Sequence, residues 1–254
     1  MRYDHPIRPP SRLSRSTSTT LARDEGLTGV LIQLGKLRAI DEQPGDLVRA
    51  EAGVSHNQLT KFCVERGFAG LEFGCGIPGT VGGWVAMNAG IPDREICDVV
   101  RDIEVMEPGR PEPLRIERGA LHFVYRSLDG LAPGSIIVAA RFEIRRSTSE
   151  AVQGEIDRLL ARRSATQPLN VPSCGSVFKN PPNDHAGRLI EAAGLKGLRR
   201  GGAEISTVHA NFIANRDGAT ASDVFALIDE ARSTVFRETG VRLIPEVRVL
   251  GEKA

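Results

Sequence analysis

The chain of 254 residues is 41% hydrophobic and 26% charged, the balance of a soluble globular protein made of one large domain or two ordinary ones. Its 33 Lys and Arg nearly cancel its 32 Asp and Glu, so a formal charge of +1 gives no electrostatic reason to expect nucleic acid or an anionic membrane as partner. Apolar runs such as residues 134–140 fall far short of the roughly 18 residues of a membrane span. The four cysteines and five histidines are scattered without metal-ligand spacing or a disulfide framework, which fits a reducing cytosol and no metal.

Residues 1–20 carry four Arg against one Asp among Ser, Thr and Pro, with neither alternation nor helical period, and are expected to form a disordered basic arm. Pro6, Pro9 and Pro10 argue against the amphipathic helix of a transit peptide. Strands are expected over 30–34, 37–40 and, after the turn Gln43-Pro44-Gly45, 47–52. Ser55 and Gln58 have the spacing of a capping box, Leu59, Phe62 and Cys63 repeat at helical spacing, and Gly67 supplies a left-handed stop, so a helix is expected between them. Strands follow over 99–106 and 136–144, the second apolar enough for burial on both faces. Apolar residues at 152, 156, 159 and 160 predict a helix over 149–163 that links two domains. Beyond it come a strand over 176–178, a helix over 187–193 stopped by Gly194, and a strand over 211–215. A long helix over 220–239 before Gly240 and a final strand over 241–250 close the chain. The fold class is α+β, divided into the arm 1–20, a first domain over 21–146 and a second over 147–254.

Four segments could carry chemistry. The glycine-rich stretch from Gly74 to Gly90 contains GxGxxG at Gly74, Gly76 and Gly79, but no buried strand leads directly into it, so a Rossmann turn is excluded by context. Two readings remain: backbone N–H groups that approach a phosphate, with Thr80 as a further donor, or tight packing without a ligand. Ser176 follows a glycine but lacks the GxSxG elbow and a His or acid at a telling offset, so by itself it reads as a structural serine. Arg126 in Phe-Val-Tyr-Arg-Ser suits a carboxylate clamp or an ordinary surface. Glu246 alternates with Arg242, Ile244 and Arg248, which a solvated ion pair on a strand face would explain.

Together, GIPGTVGGWVAMNAG, FVYRS, CGSVFKNP, AGRLIEAAGLKG, HANFIAN and LIPEVRVLG occur in the order and approximate spacing of the UDP-N-acetylenolpyruvoylglucosamine reductase family, and the chain resembles its short form over about residues 21–251. The resemblance implies an FAD-binding domain of the vanillyl-alcohol oxidase type followed by a smaller α+β substrate-binding domain. It also implies that NADPH reduces FAD, which in turn reduces the enolpyruvyl ether of UDP-N-acetylglucosamine to UDP-N-acetylmuramate for peptidoglycan. By position in the matched motifs, Ser176 would donate the proton and Arg126 and Glu246 would stabilise the enolate. Flavin contacts would come from Gly76, Ile77, Pro78, Gly79, Thr80, Gly82, Gly83, Asn88, Ala89 and Gly90, and substrate contacts from Tyr125, Lys179, Asn180 and Arg163. A monomeric, cytoplasmic bacterial enzyme with a small-molecule substrate is implied. The chain departs from the family where Arg15-Ser-Thr-Ser-Thr19 stands in place of a second Gly-rich loop, with too few residues before it for the first βαβ unit; weak flavin binding is the expectation. A flavin-free remnant that binds UDP-sugar, or a flavin oxidase of the same superfamily, are the alternative readings.

Overall fold

The computed structural model describes residues 19–251 together with the backbone strand Ser11–Arg12, which pairs in parallel with Leu31–Ile32. The rest of the basic arm, including residues 15–18 of the departing loop, lies outside the described residues. Among the described residues, 29–162 form one compact unit and 19–28 with 163–251 form a second.

The first unit is built on a five-stranded antiparallel sheet in the order Leu114–Glu117, Val100–Met106, Ile136–Glu143, Leu47–Glu51, Ile40–Gln43. Alternation along the strands turns Val48, Ala50, Ile103 and Val105 into the core, and a bulge between Ile137 and Ala139 brings Ile137 and Phe142 onto the same face. The other face carries charge: Arg141 forks onto the fully buried Asp102 of its neighbouring strand, and Arg49 donates to both oxygens of Glu104 at 2.8 and 2.7 Å. Such paired, doubly bonded contacts offset the cost of desolvating the carboxylates. They also explain why Ile136–Glu143 is buried on one face and only half-buried on the other, not on both as its composition suggests. The expected strand at 37–40 begins instead at Ile40, because Leu37 is tied into a turn by its N–H bond to the Leu34 carbonyl.

Helix α1, His56–Arg66, has both ends that its sequence announces. Ser55 and Gln58 form the capping box and Gly67 closes the helix at φ +64°, with Leu59 and Cys63 buried beneath. Loss of such an N-cap costs about 1 kcal/mol. Helix α2, Val81–Ala86, was not evident in the sequence, since Gly82 and Gly83 are poor helix formers. Packing overrides that propensity: Val81, Trp84 and Val85 are buried, and the Trp84 indole N–H donates to the Ala89 carbonyl at 2.9 Å. Helix α3, Ser149–Thr166, packs Val152 and Ile156 against Cys75, Val64 and Ala69. Those contacts hold most of α3 to the first unit, so the division falls after Arg162 within the helix and not at the expected 146/147 boundary.

The second unit has a four-stranded antiparallel sheet in the order Ser173–Ser176, Phe212–Asn215, Ala203–Ile205, Arg199–Arg200. Helices α4, Ala186–Ala192, and α5, Ala221–Thr239, bury Leu189, Ile190, Leu227, Ile228 and Val235 with Ile205 of that sheet. The α5 termini agree with the sequence, with a Thr220/Asp223 capping box and Gly240 at φ +72°. Asp24 accepts the N–H groups of Ala221 and Ser222 at 2.7 and 2.9 Å, and Thr20–Ala22 pairs in parallel with Arg248–Leu250. Residues 19–28 therefore join this unit and not the first domain, where the sequence placed 21–28. The final strand shrinks from 241–250 to Arg248–Leu250, because Pro245 has no N–H for a ladder and only a single bridge, Phe178 to Pro245, precedes it. Among the described residues no helix is long and apolar enough to cross a membrane.

Candidate functional site

In the first unit, the chain from Gly74 to Thr80 runs into α2 through residues whose backbone only glycine adopts easily: Gly76 has φ +69° and Gly79 φ +128°. A Cβ on Gly82 would lie 2.9 Å from the Ala52 Cβ, so this helix start rests directly on the residue that follows the inner strand Leu47–Glu51. The Thr80 hydroxyl is buried and has no hydrogen-bond partner among the described residues. An orphaned buried donor at the end of a glycine-rich turn fits a phosphate oxygen, and that is the observation by which this segment suits an FAD pyrophosphate.

Other expected flavin contacts have partners already. The Gly82 N–H bonds to the Ala52 carbonyl, the Ala89 N–H to the Trp84 carbonyl, and Pro78 has no N–H to give. The Asn88 side chain, 1% exposed, donates to Glu95 and to the Val124 carbonyl and accepts from the Cys97 N–H, so it faces the protein interior and not a cofactor. Gly90 opens the tight pair Gly90–Ile91 with Arg94–Glu95, where a Cβ would collide with the Arg94 carbonyl. Asn88, Ala89 and Gly90 thus brace the segment through bonds within the protein.

Arg126 sits at a two-residue turn between the paired strands His122–Val124 and Ser127–Asp129. Its φ of +59° is left-handed, a conformation that costs a non-glycine residue on the order of 1 kcal/mol and gathers at functional sites. The guanidinium lies 4.7 Å from the Tyr125 ring centre, and its Nη1 donates to Glu95 at 3.0 Å and to the Asn88 carbonyl at 3.3 Å. Glu95 was not singled out by sequence; nothing in the spacing of 95 and 126 signals the pair.

In the second unit Ser176 ends the strand Ser173–Ser176, which contains a register shift against Phe212–Asn215, with Gly175 at φ +73°. A bulge of this kind re-aims the side chain that follows it. The Val177 carbonyl accepts the Glu246 N–H at 2.8 Å, and the Lys179 N–H donates to the Ile244 carbonyl at 2.9 Å, so the segments of Ser176 and Glu246 lie side by side. Asn211, 4% exposed, locks this arrangement: its carboxamide accepts the Phe178 N–H at 2.9 Å and donates to the Phe178 carbonyl at 2.8 Å. It stands in the HANFIAN motif, the signal that could have pointed to it. Burial pushes the thiol of Cys174, two residues from Ser176, up to about 11. The Asn180 carboxamide oxygen accepts the Ala186 N–H at 3.1 Å and so caps α4. Arg163 lies in the last turn of α3 and Lys179 is half-buried.

A profile described as UDP-N-acetylenolpyruvoylglucosamine reductase, C-terminal domain, matches residues 167–250, and one described as FAD binding domain matches residues 9–109. A UDP-N-acetylenolpyruvoylglucosamine reductase of Alkalilimnicola ehrlichii is 47% identical over 92% of this chain and 78% of its own length. One of Geobacter metallireducens is 43% identical over 92% of this chain and 77% of its own. The crystal structure of the reductase from Thermus caldophilus superposes with a TM-score of 0.83 at 33% identity, covering 96% of this chain and 86% of that one.

Proposed function

The chain belongs to the UDP-N-acetylenolpyruvoylglucosamine reductase family, FAD-dependent oxidoreductases of peptidoglycan synthesis that reduce enolpyruvyl-UDP-N-acetylglucosamine, and on that basis we propose which of its residues carry the reaction and that NADPH is its reductant. FAD would be held by the Gly76–Thr80 turn with the Thr80 hydroxyl and Gly83, and when bound it supplies the hydride that reaches the terminal carbon of the enol ether. Negative charge then grows on the carboxylate side of the substrate. Arg126 provides a fixed positive charge for that enolate, and Glu246, as the protonated acid, donates a hydrogen bond to it. Ser176 gives its hydroxyl proton to the adjacent carbon, which completes the lactyl ether of UDP-N-acetylmuramate. Tyr125, Lys179, Asn180 and Arg163 are the proposed substrate contacts, Asn180 through the part of its amide not engaged with α4.

The observation that supports the roles of Ser176 and Glu246 is the hydrogen bond from the Glu246 N–H to the Val177 carbonyl, by which their two segments run beside one another in one unit. The reading includes a monomer in the bacterial cytoplasm, in keeping with the near-neutral charge and the sparse cysteines. Purified protein supplied with FAD should oxidise NADPH only when the enolpyruvyl sugar is present and form UDP-N-acetylmuramate one for one. NADPH oxidation independent of that sugar, with peroxide as product, would refute the assignment. Size-exclusion chromatography checks the monomer.

A further inference from the structure

Glu95 has no role in the reaction as assigned so far, yet its carboxylate is where the groups around Arg126 converge. One oxygen accepts Nη1 of Arg126 at 3.0 Å and the other accepts Nδ2 of Asn88 at 2.7 Å. Glu95 also caps the short helix Ile96–Asp98, with its own N–H bonded to Asp98 at 2.8 Å, so its backbone is anchored independently of Arg126. Asn88 closes the network from the other side, since its carbonyl accepts Nη1 of Arg126 and its amide donates to the carbonyl of Val124, the last residue before the turn.

The turn itself needs this support. Arg126 adopts φ +59°, which an arginine does not favour, and a disfavoured backbone persists only where its surroundings over-determine it. Side-chain exposure of 19% for Arg126 and 29% for Glu95 keeps the pair partly out of water, where geometry is held more firmly than between two exposed charges. The residue that supplies positive charge to an enolate gains from being fixed before the charge develops, since preorganised dipoles and charges need no reorganisation during the reaction.

We propose that Glu95 is a positioning residue that holds the Arg126 guanidinium in register with the substrate carboxylate. This rests on the reading of Arg126 as the enolate-stabilising group. Glu95 does not touch substrate; it acts by fixing Nη1, through a carboxylate that is itself fixed by Asn88 and the Ile96–Asp98 turn.

The test uses the full chain with FAD and compares Glu95→Ala, Glu95→Gln, Arg126→Ala and the double variant. Glu95→Ala should lower the rate of the enolpyruvyl half-reaction about 10- to 100-fold, the scale of a displacement near 1 Å, with a smaller change in KM and no change in flavin reduction by NADPH. Glu95→Gln keeps one acceptor for Nη1 but sets its amide nitrogen against Asn88, so it should fall between wild type and Glu95→Ala; it also serves if the alanine variant does not fold. The double variant should be no slower than Arg126→Ala alone, because Glu95 works only through that side chain. Wild-type rates in both Glu95 variants overturn the proposal. So does equal slowing of both half-reactions with weakened FAD binding, which is the mark of a structural residue. If Arg126→Ala itself leaves the enolpyruvyl half-reaction intact, the Arg126 reading fails and the proposal falls with it, a result distinct from a Glu95 effect absent beside a strong Arg126 effect.

Discussion

Asn211 is the residue whose replacement most sharply separates the local physics of the Ser176 segment from its chemistry. Its amide satisfies both backbone groups of Phe178, a residue 2% exposed, through bonds of 2.9 and 2.8 Å. Asn211→Ala leaves a buried N–H and a buried carbonyl unpaired, at about 1–3 kcal/mol each, and partial access of water to the vacated space places the loss at about 2–4 kcal/mol. With a urea m-value of roughly 2 kcal/mol/M, the midpoint for the second unit should fall by about 1–2 M. Asn211→Asp adds a sign test. An ionised Asp would set an oxygen against the Phe178 carbonyl, so the folded state favours the protonated acid and raises its pKa above the unfolded value of about 3.9. The variant's stability is therefore greatest below that value and is lost as pH rises through the folded pKa, the reverse of an ordinary paired carboxylate. Urea melts followed by circular dichroism at pH 4.5, 6 and 8 read this directly. A pH-independent Asn211→Asp, or an Asn211→Ala as stable as wild type, would refute the two-bond clamp.

Ser176→Ala should leave NADPH-driven flavin reduction intact and slow the enolpyruvyl half-reaction by about 10²–10⁴-fold in stopped flow; equal slowing of both would remove Ser176 from the donor role. Thr80→Val replaces an orphaned hydroxyl by a methyl and should not lower stability, while loss of one charge-assisted hydrogen bond raises the FAD dissociation constant roughly 10- to 100-fold by fluorescence titration. Arg126→Gly should be about 1 kcal/mol more stable than Arg126→Ala in chemical denaturation, because both lose the Glu95 pair but only glycine is at ease at φ +59°. Burial, reinforced by Lys196 and opposed by Glu191, holds the His209 pKa below its usual value. The unfolded chain takes up that proton first, so the stability this group contributes is full above about pH 6.5 and lost as pH falls below it; His209→Asn should show a smaller drop between pH 7.5 and 5.5.

What the sequence disclosed followed from local rules. The ends of α1 and α5 could be read because Ser55, Gln58 and Gly67, and Thr220 and Gly240, act on backbone groups within a few residues of themselves. Helix α2 could not, because Trp84 and Val81 gain their burial from a sheet that lies elsewhere in the chain. The strand at 241–250 failed at a single atom, the missing N–H of Pro245. The proposed site divides in the same way: Ser176, Arg126 and Glu246 are reached through resemblance between motifs, whereas Glu95, 31 positions from its partner Arg126, and Asn211, 33 from its partner Phe178, are joined to those partners only by the fold. Gly175 beside the bulge and the left-handed Arg126 are local features, yet both depend on pairing that a linear reading does not show.

Transfer of a hydride and a proton from this chain to an enolpyruvyl sugar can be watched in an anaerobic single turnover. Protein loaded with FAD is reduced with one equivalent of NADPH and then mixed with UDP-N-acetylglucosamine enolpyruvate. The oxidised flavin absorbance should return with one UDP-N-acetylmuramate formed per flavin, and should not return with UDP-N-acetylglucosamine. A flavin that stays reduced until oxygen is admitted would contradict that transfer.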